Sequence, residues 1–246
     1  MTMKRRDLLK GGLVAGAALA LPSAFAPTVA AMPRKGTLRD RRLFELAREQ
    51  LDRAGDAIWR RDIVGIADYG LHSALPRFHF VNMEREEIES YHVSHGAGSD
   101  PDHDGWLNYY SNVEGSNATS KGAYVTWEWY QGKYGTSVRL GGLDQTNEAA
   151  LRRYIVMHPA EYAEPKHLER WGRLGRSNGC FALGSEQFKI ALMQLSGGRL
   201  LYADSLGLHE DGSIAIGPPP APVIPDVEVM QPEQASLTQR YAPGSY

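Results

Sequence analysis

The sequence predicts a mainly β domain, α+β only in a minor sense, with one N-terminal helix and a few short ones. Short β-prone runs recur: Ile63 to Ala67, Pro76 to Asn82, Ile88 to Val93, Tyr124 to Trp129, Ser137 to Leu140, Tyr154 to Met157 and Leu200 to Tyr202. Gly-, Asn- and Ser-rich segments separate them, the longest running from Gly96 to Gly122. Clear helical periodicity is confined to two stretches, which leaves little material for a helical bundle.

The elements follow in order. Thr37 can cap a helix reaching about Arg60, because Leu43, Ala47, Leu51, Ala54 and Ile58 recur every three or four residues and form one apolar face. Ile63 to Ala67 reads as a buried strand. Pro76 to Asn82 and Ile88 to Val93 alternate and suggest a hairpin. Asn147 to Arg152 reads as a turn or two of helix. Tyr154 to Met157 is an apolar strand ending at His158, and a charged, irregular segment follows it. Cys180 to Leu183 is a short strand or turn. Ser185 to Ser196 is a helix with Phe188, Leu192 and Leu195 on one face, stopped by Gly197. From Gly217 onward prolines accumulate and large apolar residues thin out, so 217–246 reads as a flexible tail.

The 246 residues carry 42% apolar and 23% charged side chains, enough apolar material for a core and too much for wholesale disorder. The formal net charge is −2, and no basic stripe outside the extreme N-terminus suggests a nucleic-acid binder. At that N-terminus, Lys4-Arg5-Arg6 precedes a modest apolar run from Gly11 to Leu21, too short for a membrane span. Val29-Ala30-Ala31 offers a cleavage site. The segment Arg5-Arg6-Asp7-Leu8-Leu9-Lys10 resembles a twin-arginine export signal; an ordinary secretory signal or an uncleaved anchor is the alternative. Removing residues 1–31 leaves a formal charge of −5, which argues against electrostatic attachment to an anionic membrane. The organisation expected is a signal peptide over 1–31, a helix and linker over 32–61, a catalytic domain over 62–216 and the tail. The resemblance to an export signal implies the periplasm as destination, with the export machinery as one partner and no stable membrane span after cleavage.

Cys180 is the single cysteine, so it has no internal disulfide partner. It closes Gly175-Arg176-Ser177-Asn178-Gly179-Cys180-Phe181-Ala182-Leu183. Gly179 allows a tight turn whose N–H groups can hold an oxyanion. His158 stands at the end of a buried strand 22 residues upstream, a rigid place for a base. A thiol beside an imidazole can lose its proton near neutral pH, which predicts faster alkylation than an ordinary thiol shows. Taken alone, the residues leave open a Cys180 that merely fills space and a His158 that merely ends a strand.

Residues 91–202 resemble the YkuD-type L,D-transpeptidase catalytic domain, in its murein L,D-transpeptidase branch. The matching motifs run in order: His95-Gly96-Ala97-Gly98-Ser99; Ser111-Asn112, Gly115-Ser116 and Ser120 with Gly122; and Tyr130 through Gly132-Lys133, Gly135, Ser137, Arg139-Leu140 to Gly142-Leu143. Then come Asn147, Ala150 and Arg153, Ile155-Val156-Met157-His158 with Tyr162, and Gly172-Arg173-Leu174-Gly175-Arg176-Ser177 with Gly179-Cys180. The chain departs from the family at Asn178, where histidine is common, and at Phe181, where the branch usually has proline.

The resemblance implies a β-sandwich or barrel and a cysteine acyltransferase acting on peptidoglycan stem peptides. In that reading Cys180 is the nucleophile and His158 the base. Gly179 and Cys180 supply oxyanion donors, and Ser177 supports the thiolate or orients a neighbour. Arg176, Asn178 and Tyr162 are substrate-binding candidates, Arg176 either gripping a carboxylate or pairing with a nearby acid. No cofactor and no metal are implied. The same dyad could instead serve an L,D-carboxypeptidase, or the fold could survive as a wall-binding module without catalysis.

Other residues receive plainer readings. Asp100-Pro101-Asp102-His103-Asp104-Gly105 is expected to be a solvated acidic turn rather than a calcium loop. His92 is read as structural and His95 as a turn stabiliser. Trp127 and Trp129 are expected to pack against the strands, with Trp106 and Tyr109 left open to a substrate groove.

Overall fold

The computed structural model describes residues 36–133, 135–214 and the backbone of 223–224. The expected signal peptide, and the tail apart from that dipeptide, lie outside the described residues.

Helix α1 (Leu38–Ala54) begins where Thr37 accepts a hydrogen bond from the Asp40 N–H at 3.0 Å. Its apolar stripe buries Leu43, Ala47 and Leu51 as expected, but the helix stops at Gly55 (φ 53°). A single 3₁₀ turn then leads to the buried Ile58. Strands β1 (Ile63–Asp68), β2 (Phe78–Asn82) and β3 (Glu87–Tyr91) follow, the last two forming the expected antiparallel hairpin. The long Gly-rich stretch is largely irregular and holds only the two-residue β4 (Tyr110–Ser111). Strands β5 (Gly122–Gly132) and β6 (Gly135–Gly142) form a second hairpin.

β7 is Val156–Pro159, starting two residues later than expected because Tyr154 takes φ 54° and breaks the extended run. Helix α2 (Pro165–Trp171) occupies the segment expected to be irregular. It buries no residue, so it leaves no apolar period to read. β8 (Phe181–Leu183), α3 (Ser185–Leu195) and β9 (Leu200–Asp204) complete the domain, and β10 (Val223–Ile224) pairs in parallel with β4.

The long strands form one eight-stranded sheet in the order β3-β2-β1-β9-β5-β6-β7-β8. The β1–β9 and β7–β8 pairs are parallel; the others are antiparallel. The sheet curls. Ser94, just past one edge strand, bridges Ala182 on the other edge strand, with Ser94 N–H donating to the Ala182 carbonyl at 2.9 Å. Phe181 on β8 thereby meets Phe78 on β2 (ring centroids 6.4 Å), and also Tyr69 and Tyr124. The concave side is filled by this cluster and by Phe188, Ala191 and Leu195 of α3. α1 covers the other side over Val64, Ile66, Val81, Ala123, Val125 and Leu200. Its N-terminal end is stitched down by a buried ion pair, Arg39 to Asp68 at 2.7 Å.

Trp127 and Trp129 do not pack in the core. They are 41% and 57% exposed. β9 pairs with β5 only from Gly122 to Val125, and a bulge between Thr126 and Trp129 breaks the alternation, so the far half of the hairpin projects.

Phe181 is fully enclosed by aromatic and aliphatic neighbours. Phe181→Ala is expected to lower unfolding stability by about 3–5 kcal/mol. Urea denaturation at constant m-value measures this, and a loss under about 1 kcal/mol would contradict the packing described.

Candidate active site

The register that pairs Met157 with Phe181 and His158 with Ala182 places Val156 opposite Cys180. Side chains alternate along a strand. Met157 and Phe181 enter the core, so Val156, His158, Cys180 and Ala182 share the opposite face. Cys180 and His158 are thus diagonal neighbours on adjacent strands. His158 is 2% exposed and Cys180 9%. The His158 Nδ1 lies 2.9 Å from the Pro159 carbonyl, which can only accept, so Nδ1 carries the proton and Nε2 is the basic nitrogen. Burial lowers the His158 pKa, with the Pro159 carbonyl pulling the other way.

The thiol rests against backbone. Cys180 Sγ donates to the Tyr154 carbonyl at 3.6 Å, and Tyr154 is the positive-φ residue at the mouth of β7. Burial pushes the thiol up to about 11; the Val156 N–H and the Arg153 charge oppose this less strongly. Enclosure thus works against the fast alkylation expected of this thiol, and outweighs the cationic surroundings.

The turn before the cysteine is built by Ser177. Its hydroxyl lies 2.7 Å from the Cys180 carbonyl and receives the Gly179 N–H at 3.2 Å. Ser177 thus orients its neighbours, and one of the two expected oxyanion donors is already engaged. Gly179 has φ 102°, and a Cβ there would meet the Ala118 carbonyl at 2.6 Å. Asn178 is exposed at the tip of the turn. The turn is clamped to the segment after β3: Ser177 N–H to the His95 carbonyl at 2.9 Å and Ala97 N–H to the Ser177 carbonyl at 2.7 Å. Gly96 in turn lies so close to the backbone of Asn117 that no side chain fits.

Two buried arginines hold these segments: Arg77, not singled out from the sequence, and Arg153, named there only as a motif residue. Arg77, fully buried, donates to the Val93 and Leu71 carbonyls and reaches His95 Nδ1 at 3.0 Å. His95 Nε2 then lies 3.0 Å from Asp100, whose carboxylate also accepts the Asp104 and Gly105 N–H groups. Arg153 donates to the Ser111 and Ala118 carbonyls at 2.8 and 2.6 Å. His95 is the turn stabiliser expected, but the acidic turn is not simply solvated: Asp100 is fully buried. Arg176 donates to the Asp100 and Pro101 carbonyls, so its fork is turned toward this loop. Tyr162 packs on Gly175 and its carbonyl accepts the Gly175 N–H at 2.7 Å. His92 reaches the Ala74 carbonyl at 3.0 Å, consistent with a structural role. Trp106 is 47% exposed and edges onto His72. Among the described residues no group of His, Cys, Asp and Glu could hold a metal ion.

The curled β domain thus turns a cysteine and an Nδ1-anchored histidine to one face. Residues 37–203 match the model of the L,D-transpeptidase catalytic domain, and the chain belongs to that family. Residues 2–22 match the twin-arginine translocation pathway signal sequence, so the protein is exported across the cytoplasmic membrane to the periplasm. No helix among the described residues is long and apolar enough to cross a membrane. No curated protein matches the chain. Solved structures similar to it include an L,D-transpeptidase from Mycobacterium smegmatis (13% identity, 58% of each chain covered, TM-score 0.36). Another is L,D-transpeptidase 3 from Mycobacterium tuberculosis with a faropenem-derived adduct (14% identity, 58% of this chain and 60% of that one, TM-score 0.36). The match thus spans about three fifths of the length of those proteins.

Two outcomes are expected. Alkylation of Cys180 by iodoacetamide in the free protein should run slower than that of a free thiol at neutral pH. It should rise about tenfold per pH unit toward pH 11; a plateau near neutrality contradicts the buried thiol. The second concerns stability. Burial holds His95 down to about 4 and His79 to about 3, from 6.5. Folded values below unfolded ones mean the contribution is complete above about pH 6.5, is lost progressively as pH falls from there, and is gone below the folded values of about 4 and 3. The urea midpoint should therefore drop between about pH 7.5 and pH 4.5; equal midpoints would refute it.

Proposed function

We propose that this L,D-transpeptidase-family domain forms acyl-enzyme thioesters with peptidoglycan stem peptides, Cys180 acting as nucleophile and His158 as base. In this reading residues 1–31 are removed after export and 62–216 carry the catalytic domain. The observation that carries the reading is the shared face of Cys180 and His158 on paired strands, with the Pro159 carbonyl fixing the imidazole tautomer.

Substrate entry draws the thiol off the Tyr154 carbonyl toward His158 Nε2. The sulfur adds to the carbonyl of the third stem residue while Nε2 takes the thiol proton. The Cys180 N–H supports the oxyanion. The C–N bond then breaks, His158 returns its proton to the departing D-Ala amine, and a thioester remains. An amine from a second stem attacks that thioester, its surplus proton leaves through His158, and a cross-link forms as the thiol is restored. The high resting thiol pKa suits this order, because the proton moves during attack rather than before it.

Mature protein incubated with a tetrapeptide stem and an amine acceptor should release D-Ala and form a cross-linked dimer. Cys180→Ala should abolish both, a loss of about 10³-fold or more. A carbapenem, as a strained acylating ring, should add once to Cys180 by intact mass. Trimmed peptide alone, with acceptor present, would replace the transferase with a hydrolase. Undiminished processing by Cys180→Ala would end the cysteine mechanism.

A further inference from the structure

The face that carries Cys180 continues across the sheet. Val156, opposite Cys180 on β7, pairs on its other side with Arg139 of β6. Arg139, Val156 and Cys180 therefore form one cross-strand row, with Arg139 about 10 Å from Cys180 between Cα atoms at ordinary strand spacing. Beside that row runs a groove of about 150 Å³ lined by Tyr130, Arg139, Leu151, Tyr154, Ile155 and Val156. It opens beside Tyr154, the residue whose carbonyl holds the thiol. Its walls are apolar and aromatic, with Leu151 and Tyr154 47% and 41% exposed.

Among the described residues, Arg139 is the one charged residue lining the groove. Its guanidinium carbon lies 4.7 Å from the Tyr130 ring centroid, a cation–π contact, while the side chain stays about half exposed. Its acidic neighbour is Glu128 at 3.6 Å, and both side chains are more than half exposed, so that pair is screened and weak. A planar cation held by stacking at the end of an apolar groove suits a carboxylate on an extended peptide. Arg176, the arginine first considered for that task, is turned to backbone carbonyls elsewhere.

Resting on the acyl-transfer reading above, we propose that this groove is the donor-peptide subsite and that Arg139 grips a free carboxylate within about a residue of the scissile carbonyl. On the donor stem the groups tested are the terminal D-Ala carboxylate and the side-chain carboxylate of the diamino acid. Arg139→Gln separates the consequences, since the side chain is exposed and its loss leaves the core intact.

The test uses the mature protein and three tetrapeptide stems: the free acid, its C-terminal amide, and its side-chain amide. With the parent, one of the two amides should raise KM about tenfold over the free acid while kcat stays within about twofold. That amide names the carboxylate. Arg139→Gln should raise KM for the free acid to the same degree and lose the discrimination, and Arg139→Lys should recover part of it. Calorimetric binding to Cys180→Ala, with and without Arg139→Gln, should repeat the pattern without turnover. If the parent processes stems and Arg139→Gln keeps the preference, the subsite is overturned and the acyl-transfer reading stands. If the parent processes no stem and Cys180→Ala binds none, both fall.

Discussion

The burial of one aromatic ring orients the site. Phe181 lies in the concave core against Tyr69, Phe78 and Tyr124. Strand alternation then turns Cys180 and Ala182 to the other face, beside Val156 and His158. β8 has only three residues, too few to be held by its ladder alone. Its position comes from that ring and from the Ser94–Ala182 bridge that joins the two edges of the sheet. The curl of the sheet and the placement of the thiol are one constraint.

Around that strand, three chain segments distant in sequence are tied by backbone hydrogen bonds and buried charge. The Ser177–Cys180 turn rests on His95–Ala97, which rests on Ser116–Thr119. Arg77, His95 and Asp100 brace the first contact, and Arg153 braces the second. Buried ions of this kind give little net stability, but each is heavily hydrogen-bonded and admits few alternative geometries. Motifs that look unrelated along the chain thus support a single turn.

The resting thiol is protonated and lies on the Tyr154 carbonyl. Tyr154 accepts a left-handed backbone to present that carbonyl, and the same residue walls the groove in which Arg139 stands. In the proposed mechanism, peptide entering the groove disturbs the contact that keeps the nucleophile idle. Enclosure then protects a lone cysteine in an oxidising compartment until substrate arrives.

Much was determined by sequence alone. The export leader, α1 with its Thr37 cap, α3 and the β2–β3 hairpin all rest on neighbours within a few residues or on short motifs. Only the folded chain decided the rest. The parallel β1–β9 pairing, the edge-to-edge closure and the Arg77–His95–Asp100 brace join residues far apart in the chain, for which local period carries no signal. α2 buries nothing and so was invisible; Trp127 lies against Gly141 of β6 as strand packing would have it, but a bulge that resets the alternation leaves both Trp127 and Trp129 exposed. Burial also raises the thiol's pKa, which sequence could not show, since desolvation depends on what surrounds the sulfur in space and not on what adjoins it in the chain.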